Sequence, residues 1–183
     1  MTTIVLVGGN GYIGREITRQ WLKRDSQAQL YVTSRSARQE IKDSRVHHIQ
    51  VDATDDAAFE RVLPEKVDYL INLTYGSMDA LKTLRDFAEK HGCSAIGNIS
   101  CSARNAALPG FGDFVKMKDG ELQFLKEGKV PVADYDLTVA YGADRNDDLS
   151  KMIQSGAMDA LPPVHVEAVA RLLIDRLTKN WRQ

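Results

Sequence analysis

Four glycines near the N-terminus carry the clearest chemical signal in this sequence. Gly9, Gly11 and Gly14 satisfy the spacing G-x-G-x-x-G, and Gly8 with the last two satisfies G-x-x-G-x-x-G. Glycine allows φ > 0 at a strand exit and a close approach of phosphate to the backbone, and a following helix turns free N–H groups toward that phosphate. An apolar run at 4–7 precedes the motif and an amphipathic stretch follows it. This context predicts a dinucleotide-binding turn. The residues expected to form it are Gly8, Gly9, Asn10, Gly11, Tyr12, Ile13 and Gly14.

The end of the second predicted strand indicates which dinucleotide fits. An NAD site places a carboxylate there to hydrogen-bond the ribose 2′-hydroxyl, whereas residues 33–38 read T-S-R-S-A-R and contain no acidic residue. Arg35 has the charge and the donors to clamp a 2′-phosphate. Its candidate assistants are Ser34, Ser36 and Arg38. The alternative is that these arginines are ordinary solvated loop residues. The sequence favours NADP(H) over NAD(H).

Short apolar runs alternate with longer amphipathic stretches, which predicts strands joined by helical crossovers in a parallel sheet covered on both faces. The predicted strands are residues 4–7, 30–33, 46–51, 67–73, 95–100 and 133–139. The predicted helices are residues 14–25, 55–63 with Thr54 as its cap, 77–91, 113–127 and 166–178. The unpatterned segments 104–112 and 142–161 are expected to be substrate-side loops. The order of elements predicts an α/β fold with a doubly wound parallel sheet, a single Rossmann domain over 1–183.

The composition and net charge of the chain argue against several classes of partner, namely nucleic acids, membranes and metals. A chain of 183 residues with 43% hydrophobic content has enough apolar residues for one substantial core. The net charge of -1 gives no electrostatic reason to expect a nucleic-acid or membrane partner, and the apolar runs are far shorter than the roughly 20 residues of a membrane span. Cys93 and Cys101 have no metal-type spacing, and no leader-like segment precedes the first strand. We therefore expect a cytoplasmic protein that binds small molecules and no metal.

Several later motifs resemble those of the extended and atypical short-chain dehydrogenase/reductases. The third and fourth predicted strands end in V-D-A-T-D at 51–55 and N-L-T at 72–74. Further along, N-I-S-C-S-A at 98–103, L-T-V-A-Y-G at 137–142 and P-V-H-V-E-A-V-A at 163–170 look like the family's serine strand end, its Y-G turn and its last helix start. The resemblance implies a Rossmann fold, a nicotinamide cofactor and a homodimer packed through the helices at 77–91 and 113–127.

The resemblance also implies roles for individual residues. Asp52 would hydrogen-bond the adenine amino group, and Ala53 would lie against the ring. Ser102 would orient the substrate. The residues implied on the nicotinamide-ribose side are Asn72, Leu73, Thr74 and Lys118.

One departure from the family bears on the chemistry. Its oxidoreductases use Y-x-x-x-K, where the lysine lowers the pKa of the tyrosine so that the phenol exchanges a proton. The sequence contains no Y-x-x-x-K. In the expected helix Lys118 keeps the lysine position while Phe114 replaces the tyrosine, and a register anchored on Glu121 places Asp113 and Met117 there instead. In either register the phenol is missing.

Other side chains are candidates for the missing proton exchange. Tyr75 and Tyr141 each follow a predicted strand end, although aromatic packing beside the cofactor is the alternative for both. Ser102 and water are further sources. His165 fits helix placement better than catalysis. Cys101 has no evident basic partner and fits a buried filler better than a nucleophile.

Two functions of different classes follow. The first is an NADP(H)-dependent atypical reductase acting on a small carbonyl or conjugated substrate. The second is a non-catalytic NAD(P) sensor or scaffold, in which Phe111, Phe114 and Met117 would fill the substrate space. Since the sequence ends soon after the last helix, we expect a reduced substrate side, which argues against a nucleotide-sugar epimerase.

Overall fold

The central element of the fold is a six-stranded parallel sheet, seen in a computed structural model that describes residues 1–142, 145–159 and 161–179. Its strands are β1 (Thr3–Val7), β2 (Gln29–Ser34), β3 (Val46–Gln50), β4 (Tyr69–Asn72), β5 (Ala95–Cys101) and β6 (Val132–Leu137). They lie in the order β3-β2-β1-β4-β5-β6, and every neighbouring pair is parallel. The chain therefore reverses its direction of travel across the sheet between β1 and β4, which is where doubly wound sheets bind ligands. The predicted Rossmann fold is confirmed.

Helices cover both faces of this sheet. They are α1 (Tyr12–Arg24), α2 (Asp56–Val62), α3 (Met78–Lys90), α4 (Gly112–Lys126), α5 (Asp148–Gln154) and α6 (Val166–Thr178). The first and last pack against each other on one face, while α2 and α3 lie on the opposite face with α4 beside them. No helix in the described part of the chain has the length and apolar character needed to cross a membrane.

The alternation of side chains along β1 divides the core in two. Ile4 and Leu6 pack with Ile17 and Trp21 of α1 and with the apolar face of α6. Their neighbours Val5 and Val7 point to the other face, in a cluster with α2 and α3. Each fully buried aliphatic side chain stabilises the fold by about 1.5 to 3 kcal/mol, so β1 is fixed between two layers. The turn that follows β1 is thereby held rigidly.

The structure corrects several predicted boundaries. The strand expected at 133–139 is divided, since β6 ends at Leu137 and a separate strand β7 (Val139–Tyr141) pairs in parallel with β8 (Pro163–His165). The two segments expected to be loops contain a 3-10 helix at Ala103–Ala107 and the helix α5. Both are too short to show a clear hydrophobic period.

The cap of α2 is also corrected. Asp55, and not Thr54, is the N-cap, because its carboxylate accepts a hydrogen bond from the backbone N–H of Ala58 at 2.9 Å. Thr54 instead donates its hydroxyl to Asp52 at 2.9 Å. Ser77, at the start of the predicted helix 77–91, caps α3 through the N–H of Ala80 at 3.2 Å.

Candidate functional site

Three of the four motif glycines are required by the packing of the protein itself. Gly8 has φ of +75°, and a Cβ there would lie 2.9 Å from the Thr74 side chain. A Cβ on Gly9 would lie 2.8 Å from the Leu6 side chain. A Cβ on Gly14 would lie 2.4 Å from the carbonyl oxygen of Gly9, so only glycine lets α1 approach the exit of β1 this closely.

Gly11 differs from the other three. It is exposed, and a Cβ there would meet only the Gly8 carbonyl oxygen, at an ordinary contact distance of 3.5 Å. Gly11 is the N-cap of α1, where no side chain caps the helix and no acidic residue lies in the first turn. The first N–H groups of α1 thus have no side-chain cap among the described residues, and Gly11 beside them is open to solvent, as an anion site at a helix N-terminus requires.

A cavity of about 710 Å³ extends from this turn toward β2 and β3. Its lining includes Asn10, Ser34, Arg35, Asp52 and Ala53. Asn10 is 7% exposed, and its Oδ1 is buried with no hydrogen-bond partner in the described part of the chain. Asn10 thus brings a buried acceptor, unpaired among the described residues, to the wall of the cavity.

The charged groups around this cavity are unequally paired. Arg38 and Arg15 both form ion pairs with Glu40, and the Arg15 guanidinium lies 3.2 Å from Glu40 Oε2. The Arg35 guanidinium makes no hydrogen bond or ion pair with any residue that the structure describes. Ser34 donates a hydrogen bond to the Ser36 carbonyl oxygen. Of the two arginines in the cavity lining, Arg35 is therefore the one whose guanidinium is not engaged in an ion pair with a described residue.

Asp52 is fixed at the end of β3. Its Oδ1 accepts hydrogen bonds from the backbone N–H of Thr54 at 3.0 Å and from the Thr54 hydroxyl. These two hydrogen bonds hold the pKa of Asp52 below its ordinary value, and the bond from the Thr54 backbone has the larger effect. Asp52 is thus a fixed carboxylate in the lining of the cavity.

A second cavity of about 420 Å³ adjoins the first. Both are lined by Gly8, Gly11, Thr74 and Tyr75, so the two form one cleft across the carboxyl ends of β1 and β4. The predicted residues that line the second cavity are Tyr12, Ile13, Gly14, Asn72, Leu73, Thr74, Tyr75 and Lys118. The fold therefore gathers most of the predicted site residues along this single cleft.

A chain of hydrogen bonds runs beneath the second cavity across three strands. Asn72 accepts from the Thr74 hydroxyl at 2.8 Å and donates to Asn98 at 3.0 Å. Asn98 donates to Asp134 Oδ1 at 2.8 Å, and Ser100 Oγ donates to Asp134 Oδ2 at 2.6 Å. Because Asn72, Asn98 and Ser100 are all at least nine-tenths buried, this network holds them in one arrangement.

The two serines at the end of β5 have different surroundings. Ser100 lines the second cavity, whereas Ser102 is 5% exposed and is not part of that lining. Its backbone N–H is held by the Leu137 carbonyl oxygen at 2.9 Å, and the 3-10 helix begins directly after it. Ser100 is thus the serine that lines the cavity, and Asp134 holds its hydroxyl.

Lys118 lies in a compact group at the edge of the second cavity. Its Nζ lies 3.2 Å from Glu121 Oε2, and both side chains are nearly fully buried. The other oxygen of Glu121 accepts the backbone N–H of Gly76 at 2.6 Å. Tyr75 lies over Lys118, with its ring centroid 5.9 Å from Nζ, and packs edge-on against Phe114. Glu121 therefore ties α4 to the loop that carries Tyr75.

Three other candidates have separate surroundings. Tyr141 packs edge-on against His165 with ring centroids 5.2 Å apart, and neither lines the second cavity. Cys101 lines it, but burial raises the pKa of its thiol, and Asn105 donates a hydrogen bond to its sulfur. This is the surrounding of an inert thiol.

Sequence reasoning missed Ser100, Asp134, Glu121 and Arg145. Arg145 lines the second cavity, lies over the Tyr12 ring and donates to the Ala140 carbonyl oxygen at 2.6 Å. The period-two spacing of Asn98 and Ser100 on one face of β5 was an available signal. The partners Asp134 and Glu121 give no such local signal.

Comparisons with known proteins agree with this architecture. The Bordetella bronchiseptica enzyme WbmH, solved in complex with NAD+, superposes with a TM-score of 0.80 at 12% identity, covering 98% of this chain and 73% of that one. UDP-N-acetylglucosamine 4-epimerase from Bacillus cereus gives 0.73 at 14%, covering 98% and 73%. A wide-type short-chain dehydrogenase/reductase from Veillonella parvula, solved with NADP, gives 0.72 at 15%, covering 97% and 88%. At these identities the likeness shows the fold alone.

Sequence comparison adds the family. A search of curated proteins finds no match. The family model described as NAD dependent epimerase/dehydratase matches residues 4–96, a little over half of the 183 residues. The chain belongs to the NAD dependent epimerase/dehydratase family.

Proposed function

We propose that this protein is an NADP(H)-dependent oxidoreductase that reduces a small carbonyl or conjugated substrate in the second cavity. The proposal rests on two features of one cleft that the packing of the protein does not explain. Gly11 has no side chain although the protein would tolerate one. The Arg35 guanidinium makes no hydrogen bond or ion pair with a described residue, although Arg35 lines the cavity and its charge acts at longer range on Asp52. A dinucleotide with a 2′-phosphate accounts for both, through its pyrophosphate at Gly11 and its phosphate at Arg35.

The rest of the cleft fits the same ligand. The uncapped N-terminus of α1 would hold the pyrophosphate, while Asp52 and Ala53 would bind the adenine. Thr74 and Lys118 line the second cavity, where the nicotinamide would lie and Lys118 would position its ribose. When bound, the cofactor supplies hydride to the substrate carbon. Neighbouring structures solved with NAD+ and with NADP support a nicotinamide cofactor here.

We assign the accompanying proton to Ser100. Neither residue that could stand at the family's tyrosine position, Phe114 or Asp113, carries a phenol. Ser100 Oγ would give its proton to the substrate oxygen as hydride arrives and would take a proton from a water molecule in the cleft, which leaves as hydroxide to the solvent, while the Asp134 carboxylate would hold Ser100 in place. Tyr75 is 64% exposed, which fits a wall of the cleft better than a proton donor.

A calorimetric titration with NADPH, NADP+, NADH and NAD+ tests the cofactor assignment. We expect micromolar binding of the phosphorylated forms, weakened by roughly 1.5 to 3 kcal/mol in Arg35→Met because a charge-assisted contact is lost. Arg61→Met on α2, outside both cavities, is the control of equal charge. Equal affinity for all four nucleotides would refute the NADP preference, and binding of none would refute the function.

A non-catalytic dinucleotide sensor is the second candidate, and the absence of the phenol at Phe114 favours it. Phe111 and Phe114 line the second cavity but leave about 420 Å³ open beside Ser100 and Lys118, which supports the enzyme. Turnover of NADPH with a panel of aldehydes, ketones and enones separates the two. Tight NADPH binding without turnover of any panel member would favour the sensor.

A further inference from the structure

Glu40 occupies an unusual place beside the proposed cofactor site. It lies in the segment between β2 and β3 and accepts ion pairs from two arginines, Arg38 of the same segment and Arg15 of α1. Its side chain is 23% exposed, so the carboxylate is partly shielded from water. The hydrogen bond from Arg38, first, and that from Arg15 hold the pKa of Glu40 below its ordinary value, and the carboxylate is charged at neutral pH.

Arg38 is positioned by two separate contacts. Its backbone carbonyl oxygen accepts a hydrogen bond from Asn10 Nδ2 at 3.0 Å, which ties the segment to the glycine turn. Its guanidinium is paired with Glu40 while the residue lines the same cavity as Arg35. Loss of the Glu40 charge would release the guanidinium without releasing the backbone. The Arg38 side chain is 59% exposed and has room to turn toward the cavity.

On the basis of the NADP(H) site proposed above, we propose that Glu40 sets the strength of discrimination between phosphorylated and unphosphorylated dinucleotides. It competes with the 2′-phosphate for Arg38 and places a negative charge beside that phosphate. In the native protein the 2′-phosphate is therefore bound by Arg35, while Glu40 keeps the Arg38 guanidinium away from it. Three arginines lie near the site. Arg15 and Arg38 form ion pairs with Glu40, whereas Arg35 forms no ion pair with a described residue, as this division of roles requires.

The test is a calorimetric titration of native protein and Glu40→Gln with NADPH and NADH at low salt. We expect Glu40→Gln to bind NADPH roughly three- to tenfold more tightly, because a repulsive charge is removed and Arg38 is freed, and to bind NADH as the native protein does. The gain shrinks at about 1 M salt, where screening is strong. Glu60→Gln is the matched control, since Glu60 also bridges two basic residues, Lys90 and His91, away from this cavity.

A second variant identifies the group responsible. In the double variant Glu40→Gln, Arg38→Met most of the gain is lost, because Arg38 is the cation that Glu40 withholds, and only the smaller effect of the removed negative charge remains. An unchanged or lower preference for NADPH in Glu40→Gln overturns the inference, as does a full gain in the double variant. Unchanged NADH binding shows that the fold is intact. If the native protein binds neither nucleotide, the proposed function fails, whereas native NADPH binding that is insensitive to Glu40→Gln refutes the role of Glu40 alone.

Discussion

The Ser100 hydroxyl of β5 donates a hydrogen bond to Asp134 Oδ2 of the neighbouring strand β6, at 2.6 Å. The same carboxylate accepts Asn98 on its other oxygen, so both of its oxygens have a donor. Ser100 thus lines the cavity while its hydroxyl is held by Asp134. This pair joins the lining of the cleft to a half-buried carboxylate, in a protein whose helix α4 contains no tyrosine.

The first prediction concerns these two residues. On any carbonyl substrate found in the panel, Ser100→Ala lowers kcat roughly 100-fold, because a positioned proton donor contributes on that scale. Asp134→Asn lowers it in a similar way. Ser102→Ala is the matched control and is expected to keep kcat within about threefold, since this hydroxyl is not in the cavity lining. A loss confined to Ser102→Ala would reverse the assignment.

Gly11 and Gly14 are predicted to respond oppositely to alanine. Gly11→Ala keeps the free energy of unfolding within about 1 kcal/mol, because its Cβ meets only an ordinary contact, but loses NADPH affinity by at least roughly tenfold. Gly14→Ala destabilises the fold by about 3 kcal/mol, because its Cβ would lie 2.4 Å from a backbone oxygen. Urea unfolding and calorimetry measure the two effects. Native affinity in Gly11→Ala would contradict a phosphate site at this turn.

The buried pair of Lys118 and Glu121 is predicted to be costly to break. Glu121→Gln keeps an acceptor for Gly76 but leaves Lys118 buried without an opposite charge, so we expect a loss of roughly 3 to 5 kcal/mol in urea unfolding. The double variant Lys118→Met, Glu121→Gln regains part of that loss. The exposed pair of Lys82 and Asp86 is the control, and Lys82→Met leaves stability nearly unchanged. Equal effects of Glu121→Gln and Lys82→Met would show that burial does not matter here.

Both cysteines are predicted to be unreactive in the folded protein. Burial, with Asp68 adding to it, raises the pKa of Cys93 to about 12, and burial also raises the pKa of Cys101. Since the thiolate is the reactive form, iodoacetamide at pH 8 labels neither within minutes, while the urea-unfolded chain is labelled at both. Mass spectrometry reads the outcome. Rapid labelling of Cys101 in the folded state would instead make it a candidate nucleophile.

The sequence by itself determined the order of the main strands and helices and the position of the glycine turn between β1 and α1. These depend on local properties, namely the hydrophobic period of each segment and the freedom of glycine at residues such as Gly8 and Gly14. The arginine at the end of β2 also followed from local spacing. The short elements, α5 and the 3-10 helix, did not, because a few residues show no period.

Only the tertiary structure decided which side chains meet. Ser100 faces the cleft while Ser102 does not, because β5 ends at Cys101 and the chain then turns into the 3-10 helix. Ser100 reaches Asp134, 34 positions further along the chain, through the register of β5 and β6. Glu40 reaches Arg15 across 25 positions. Such pairings depend on strand order and helix packing, which no local period encodes. They bring Ser100 to Asp134 and bring Glu40 to two arginines.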